Sequence, residues 1–311
     1  MLISVCIPTY NRLADLKIAI ASVIAAANIL DEPIEVLVSD NASPDGTRSY
    51  LENLSIENKN ITFIHWTNNE NVGGLNNVKK LISKAKGEYL FFLTDDDLIL
   101  PNTFSLLKKH IHSSVKFIKF ANITYLVKRK KTFFYGHKHL LSDFDNHDNF
   151  FEIERYTHIL SGCVIKNIPS FIEWLIHSTN SYISTEMCAL SAGGCLYINE
   201  PVVIHQWENE VFWEKDVDLT SKLTKIRHLS HSAQHALLKI PDTYFNNKQK
   251  LKMCEILLRR HGYLEDEVLE KFKLSSMELT LIKIKALPTR FLLNCVFDIR
   301  SFFSNRLSNL K

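Results

Sequence analysis

The sequence predicts an α/β protein, an open, mostly parallel sheet flanked by helices and followed by a helical C-terminal region. Three observations predict it. Short continuous apolar runs alternate with stretches of helical periodicity through the first hundred residues, the pattern of a parallel sheet with crossover helices. Polar clusters sit at the carboxyl ends of those runs, where such sheets bind their ligands. From about Leu219 the strand signals vanish and only helical spacing continues.

Leu2–Ile7 reads as a strand buried on both faces. Asn11 is placed to cap a helix whose Leu13, Leu16, Ile20, Val23 and Ile24 share one face. Ile34–Ser39 is a second strand, and Ser43-Pro44 predicts a cap with proline at the first helical position, turning Tyr50, Leu51 and Leu54 inward. Ile61–Trp66 is a third strand. The helix after it carries Leu75, Val78, Leu81, Ile82 and Ala85 and is stopped by Gly87. Tyr89–Leu93 is a fourth strand and runs straight into Thr94-Asp95-Asp96-Asp97.

Beyond it the pattern predicts a helix over Pro101–His112 and strands over Val115–Phe120 and Ile123–Val127. A polar loop or flap follows over Lys128–Asp148, whose His137, His139 and His147 fit no closed zinc site. Leu160–Ile165 is a strand, Phe171–His177 and Ser184–Ala192 are helices, and Leu196–Asn199 and Val202–His205 are strands. The chain thus divides into an α/β domain over 1–220, with halves 1–110 and 111–220, and a helical region over 221–311.

With 311 residues the chain has about two domains' worth of length, and 46% hydrophobic against 23% charged residues describes an ordinary globular core. A net charge of +3 is too slight to imply nucleic acid as a partner. The longest apolar run, Ile18–Leu30, is too short to span a bilayer. Leu2–Ile7 lacks the basic lead and cleavage site of an export signal, so a cytoplasmic protein is expected. Its six cysteines, none in a Cys-x-x-Cys pair, then read as reduced core residues.

A buried strand emptying into three aspartates needs a positive charge, because adjacent carboxylates repel one another unless a cation stands between them. Hard oxygen ligands of this kind favour Mn²⁺ or Mg²⁺ held jointly with substrate phosphates. Standing alone, the triplet has a solvated turn or helix cap as its alternative.

It does not stand alone. Ile3-x-x-x-Ile7-Pro-Thr-Tyr-Asn-Arg, Val38-Ser-Asp-Asn-Ala-Ser-Pro-Asp-Gly-Thr47, Asn71-Val-Gly73-(x)3-Asn77 and Gly87-Glu-Tyr-Leu-Phe-Phe-Leu-Thr-Asp-Asp-Asp97 occur in one order. The series resembles the inverting family 2 glycosyltransferases of the GT-A fold, specifically over residues 1 to about 110 and more loosely to about 206. The resemblance implies that Pro8, Thr9, Tyr10, Arg12 and Asp40 hold the nucleotide. Asn71, Gly73 and Asn77 join them, and Asp95, Asp96 and Asp97 hold a divalent cation and the diphosphate. It implies a nucleotide-diphosphate sugar as donor, most commonly UDP-linked, and a glycan or lipid-linked glycan as acceptor, in bacterial surface polysaccharide synthesis. Two positions depart from the family pattern: Thr94 stands where an aspartate is common, and Asn76 where many members have arginine.

The acceptor half is expected from 111–220. Ser161-Gly-Cys-Val-Ile-Lys166 resembles the strand lining the acceptor cleft, and Thr185-Glu186-Met187 resembles the acidic element carrying the catalytic base. A carboxylate at a helix N-terminus is kept ionised by the dipole, which suits Glu186 to take a proton from a sugar hydroxyl. His205, after Val202-Val203-Ile204, is a candidate third metal ligand with Asp95 and Asp97; a structural histidine is the alternative. Two other functions stay open: a nucleotidyltransferase, whose glycine-rich basic loop is missing after the first strand, and a non-catalytic sugar-nucleotide-binding module.

The basic residues Lys283, Lys285, Arg290, Arg300, Arg306 and Lys311 against the single acid Asp298 give 283–311 a charge of +5 and leave the rest of the chain at −2. Interleaved with Phe291, Phe297, Phe302 and Phe303, this segment reads either as a peripheral anchor on the inner face of the cytoplasmic membrane or as a terminal helix with a solvated basic face.

Overall fold

A computed structural model describes residues 3–30, 32–111, 115–126, 130–135, 160–169, 195–207, 251, 254, 255, 258, 264 and 266–284. The chain forms two compact units, Met1–Asp216 and Val217–Lys311. In the first, the described elements are β1 (Ile3–Thr9), α1 (Leu13–Ala27), β2 (Ile34–Asp40), α2 (Thr47–Asn53), β3 (Ile61–Thr67), α3 (Gly74–Lys84), β4 (Tyr89–Phe92), β5 (Leu98–Ile99), α4 (Thr103–His110), β6 (Phe117–Leu126), β7 (Lys131–Tyr135), β8 (Cys163–Lys166) and β9 (Cys195–Trp207). They build one sheet in the order β3-β2-β1-β4-β8-β6-β9-β5, with β7 paired to β6.

The parallel sheet predicted from the first hundred residues is β3-β2-β1-β4. Alternation of side chains sorts its core into two layers. Ile3, Val5 and Ile7 of β1 and Val36 and Val38 of β2 join one apolar cluster with Leu16, Ala19, Ile20 and Val23 of α1 and Phe104 and Leu107 of α4. α3 packs against β1 and β2 and buries Val78, Leu81 and Ile82. β8 then pairs antiparallel to β4 and β6, while β6 and β9 run parallel.

Several boundaries differ from the expected ones for identifiable reasons. The two strands expected over 115–127 are one strand, β6, whose register shifts at Ala121; a bulge, rather than a turn, interrupts its pattern. The two expected over 196–205 are likewise the single strand β9. Part of the polar flap, Lys131–Tyr135, is strand β7 at the side of β6. Asn11 does not cap α1: it takes the left-handed conformation (φ 55°) and Arg12 is the cap residue, without a side-chain capping bond. Asp45 caps instead from the next loop, its Oδ2 accepting the Leu13 N–H at 2.8 Å. The same carboxylate accepts the Thr47 N–H at 3.2 Å and the Thr47 hydroxyl at 2.6 Å, so α2 begins at Thr47 and not at Pro44. The expected helices over 171–177 and 184–192 lie outside the described residues, as do His137, His139 and His147.

In the second unit α5 (Asp266–Phe272) buries Val268 and Phe272. Residues 276–284 are helical, with Ile282 buried and Met277, Leu281 and Ile284 exposed on one face. Among the described residues no helix is long and apolar enough to cross a membrane. Cys6, Cys163 and Cys254 are buried, and the Cys163 sulfur accepts from the Lys119 ammonium at 3.1 Å.

Candidate active site

The carboxyl ends of β1, β2 and β4 open on one edge of the sheet, and the register sets Thr9 beside Asp40. Two loop residues here, Asn11 and Ala42, have positive φ, a conformation costing an alanine roughly 1–2 kcal/mol. Backbone strain of this kind concentrates at binding sites.

The Asp triplet is locked into this edge by donors from β1, the loop after it and β9. The Thr9 hydroxyl donates to Asp95 Oδ2 at 2.8 Å and the Tyr10 N–H to the same oxygen at 3.3 Å. Arg12 Nη1 reaches Asp95 Oδ1 at 2.9 Å and Asp96 Oδ2 at 2.8 Å. Burial pushes the Asp95 carboxyl up to about 6, with Arg12 pulling it down and Asp96 adding to the rise. Asp96 is raised too, first by burial and then by Asp97.

Asp97 is fully buried and faces the other way. His205 Nδ1 lies 2.9 Å from its Oδ1, the Gln206 N–H donates to that oxygen at 3.1 Å, and the Thr94 hydroxyl donates to Oδ2 at 2.8 Å. Thr94 is in turn held by Ser161, whose Oγ accepts the Thr94 N–H at 2.9 Å. Behind it the buried Lys119 ammonium donates to the Ser161 carbonyl at 3.1 Å. Sequence reasoning did not single out Thr94, Ser161, Gln206 or Lys119 as positioning residues. Ser161 was read only as the start of a strand, and Thr94 carried a signal by standing at a family aspartate position. A fourth carboxylate there would lack a proton to give Asp97, whereas the threonine supplies one.

The structure therefore splits the expected metal ligands into two groups: Asp97 pairs with His205, and Asp95 shares Arg12 with Asp96. Among the described residues, no three His, Cys, Asp or Glu side chains gather into a metal site. The repulsion that seemed to demand a metal is met by the guanidinium and by neutral donors. The donor set still fits a hard cation that arrives with phosphates, because such ions need only one or two protein carboxylates. Asp96 is the most exposed of the three, its side chain at 17% against 6% for Asp95 and 0% for Asp97. His205, with Nδ1 on a carboxylate, has the arrangement in which the second ring nitrogen serves as a ligand.

Asp40 is buried at the same edge. Its Oδ1 accepts the Ser43 N–H at 3.0 Å, while Oδ2 is buried with no hydrogen-bond partner. Asn71 and Gly73 belong to the adjoining β3–α3 loop, and Asn77 to the first turn of α3. Asn71 accepts from the Asn41 amide at 2.7 Å and from the Gly73 N–H at 2.9 Å, and Gly73 needs its positive φ of 82°. Asn77 is buried and ties α3 to β2, accepting from Ser39 Oγ at 2.6 Å and donating to the Ser39 carbonyl at 2.8 Å. Pro8 lies in β1, opposite Ser39. Glu186 lies outside the described residues.

The edge is thus polar and carries an acidic triplet held from two sides. The profile of glycosyl transferase family 2 matches residues 4–165. The chain belongs to that family. Among curated relatives, this family 2 glycosyltransferase is 31% identical over 243 residues to the abequosyltransferase RfbV of Salmonella typhimurium, covering 69% of each chain. It is 34% identical over 105 residues to the GalNAc(5)-diNAcBac-PP-undecaprenol beta-1,3-glucosyltransferase of Campylobacter jejuni, covering 34% of this chain and 33% of that one. Among solved structures, TarS 1-349 of S. aureus in complex with UDP-GlcNAc superposes with a TM-score of 0.58 at 16% identity, covering 92% of this chain and 80% of that one. The mannosyltransferase PcManGT of Pyrobaculum calidifontis, in complex with GDP-Man and Mn²⁺, gives 0.52 at 17% identity, covering 96% and 79%. At these identities the structural likeness carries the fold alone, the GT-A arrangement of sheet and helices.

Proposed function

We propose that this glycosyltransferase moves a sugar from a nucleoside diphosphate donor, a UDP-sugar first, to a hydroxyl of a glycan or lipid-linked glycan in bacterial surface polysaccharide synthesis, with inversion at the anomeric carbon. The observation that carries the reading is the partnerless buried oxygen of Asp40 at the edge where Thr9, Arg12 and the Asp triplet converge. A buried acceptor without a donor is costly unless a ligand supplies one, and a nucleobase N–H is such a donor. Pro8, Thr9, Tyr10 and Arg12 with the Asn71–Gly73 loop complete the donor pocket, and Asn77 braces that loop from within.

In the reaction the acceptor oxygen attacks C1 of the sugar, the C1–O bond to the diphosphate breaks, and Glu186 takes the acceptor proton. Asp96, with His205 oriented by Asp97, is the pair that would hold Mn²⁺ or Mg²⁺; that ion, when bound, neutralises charge on the departing diphosphate. Arg12 stands beside the same place and supplies a second positive charge. The alternating strand-end loops orient the donor, and the buried Asp95 keeps the first loop attached to the triplet.

Support for the lipid-linked acceptor comes from the undecaprenol named for the Campylobacter relative and from the charge of 283–311. Peripheral contact of that segment with an anionic membrane would bring the enzyme to such an acceptor. Of the segment only Lys283 and Ile284 are described, and both are exposed. Release of free nucleoside diphosphate from a panel of nucleotide sugars, with Mn²⁺ and then with excess EDTA, tests the reading. No turnover of any donor, with or without glycan acceptors, would reject it; full activity in EDTA would reject its metal.

A further inference from the structure

Arg12 bridges two carboxylates, one of which, Asp96, would help to hold the divalent cation. One nitrogen, Nη1, bridges Asp95 Oδ1 at 2.9 Å and Asp96 Oδ2 at 2.8 Å. The contact is partly shielded from water, with the Arg12 side chain 22% exposed and its partners less so. Charge pairs in such surroundings are screened far less than surface pairs. The remaining oxygen of Asp95 is taken by Thr9 and Tyr10, and both oxygens of Asp97 by Thr94, His205 and Gln206. Arg12 thus sits on the carboxylate that is both most exposed and least committed to other donors, Asp96.

We propose that Arg12 is a resident counter-ion of the donor-free enzyme: it competes with the divalent cation for Asp96 and yields that carboxylate only when the donor's diphosphate offers the guanidinium another anion. The inference rests on the metal-assisted reading above and adds an order to it. Two features of the chain make the exchange feasible. Arg12 is the N-cap residue of α1, its carbonyl accepting the first helical bond from the Leu16 N–H at 2.9 Å, and it follows Asn11 with its positive φ, so its side chain is carried by a loop end and not by a packed strand. Guanidinium pairs with phosphate oxygens as well as with carboxylates, through the same fork of donors, so the diphosphate replaces Asp96 as its partner without leaving a bare charge. The consequence is that the metal binds weakly to the enzyme alone and tightly with the nucleotide, and that removing Arg12 abolishes much of this difference.

The test is binding of Mn²⁺ alone to the full chain, followed by electron paramagnetic resonance of the free ion, with and without UDP. In the parent protein Mn²⁺ binding without UDP is expected to be weak and to tighten when UDP is present. Arg12→Gln removes the competing charge and is expected to bind Mn²⁺ without UDP about tenfold or more tightly than the parent. Arg12→Lys, which keeps one charge but cannot hold the same planar pairing, is expected to fall between them, and it decides the matter if the glutamine variant does not fold. Mn²⁺ affinities of both variants equal to or weaker than the parent's would overturn the inference while leaving the metal reading intact. Failure of every form to bind Mn²⁺, even with UDP, would overturn both.

Discussion

Asp97 and His205 are 108 residues apart in sequence, and their side chains meet at 2.9 and 3.1 Å. The contact ties the loop after β4 to the far end of β9 through one buried carboxylate. Removing an aspartate from a cluster held apart by repulsion would cost no stability. Asp97 is not in that position, because donors satisfy both of its oxygens. His205→Ala and Asp97→Ala should each lower stability by about 1–3 kcal/mol and turnover by roughly 10- to 100-fold. Thermal unfolding and donor turnover measured on both variants check this; parental values in both assays would show the contact to be incidental.

Asp45 should be a stability determinant of the site edge, since one carboxylate caps two helices. Asp45→Ala is expected to cost about 1–2 kcal/mol. Burial alone would raise this carboxyl, but the hydrogen bonds from Thr47 and Leu13 outweigh it and hold it below the ordinary aspartate value. A group depressed in the folded state adds stability above its unfolded value and loses it as pH falls through the folded one. The stability gap between the parent and Asp45→Asn should accordingly be constant near neutrality and close in acid, below about pH 4. Urea unfolding across that range measures the gap; one that stays open in acid would contradict the charge as its source.

Gly87 and Gly74 should respond to alanine in opposite directions. A Cβ on Gly87 would lie 2.5 Å from the Ser4 backbone nitrogen, where the chain leaving α3 crosses β1 and the Gly87 N–H meets Ser4 Oγ at 2.7 Å. Gly87→Ala should cost roughly 2 kcal/mol or more. Gly74, at the start of α3, has nothing within 4 Å of that position, so alanine there should add up to about 1 kcal/mol. Equal effects at the two sites would argue against close packing at Gly87.

Glu186→Gln preserves shape and removes the proton acceptor proposed for the transfer. Its rate should fall roughly 10²-fold or more, with donor affinity nearly unchanged. Transfer at the parental rate would move the role to another acid, Asp143, Glu208 or Glu210 first.

A chain ended at Ala286 lacks most of the basic segment and should lose sedimentation with anionic vesicles while still hydrolysing donor. Neutral vesicles should pellet neither form. Equal pelleting of both forms by anionic vesicles, or of neither, would dismiss the segment as an anchor.

The sequence by itself determined the parallel half of the fold. The apolar runs that became β1 to β4 lie within two residues of where they were read, because β1, β2 and β4 are buried on both faces and such strands are largely apolar. At the edge of the order, β3 kept a mainly apolar run between polar loops. The strand-end clusters were legible for the same reason, since polar residues interrupting such runs have to lie at the sheet edge. What only the tertiary structure decided was who satisfies whom. Asn11 and Ser43 had the right chemistry for caps, yet Asp45, from a neighbouring loop, does the capping, and nothing local to α1 encodes that. The Asp triplet announced a need for positive charge, but a guanidinium 83 and 84 positions away supplies it to Asp95 and Asp96, and His205 of β9 meets Asp97. Periodicity reports burial, which each residue experiences alone. Hydrogen bonds and ion pairs depend on two residues meeting, and the distance between them is set by sheet order and register, which appear only when the chain is folded.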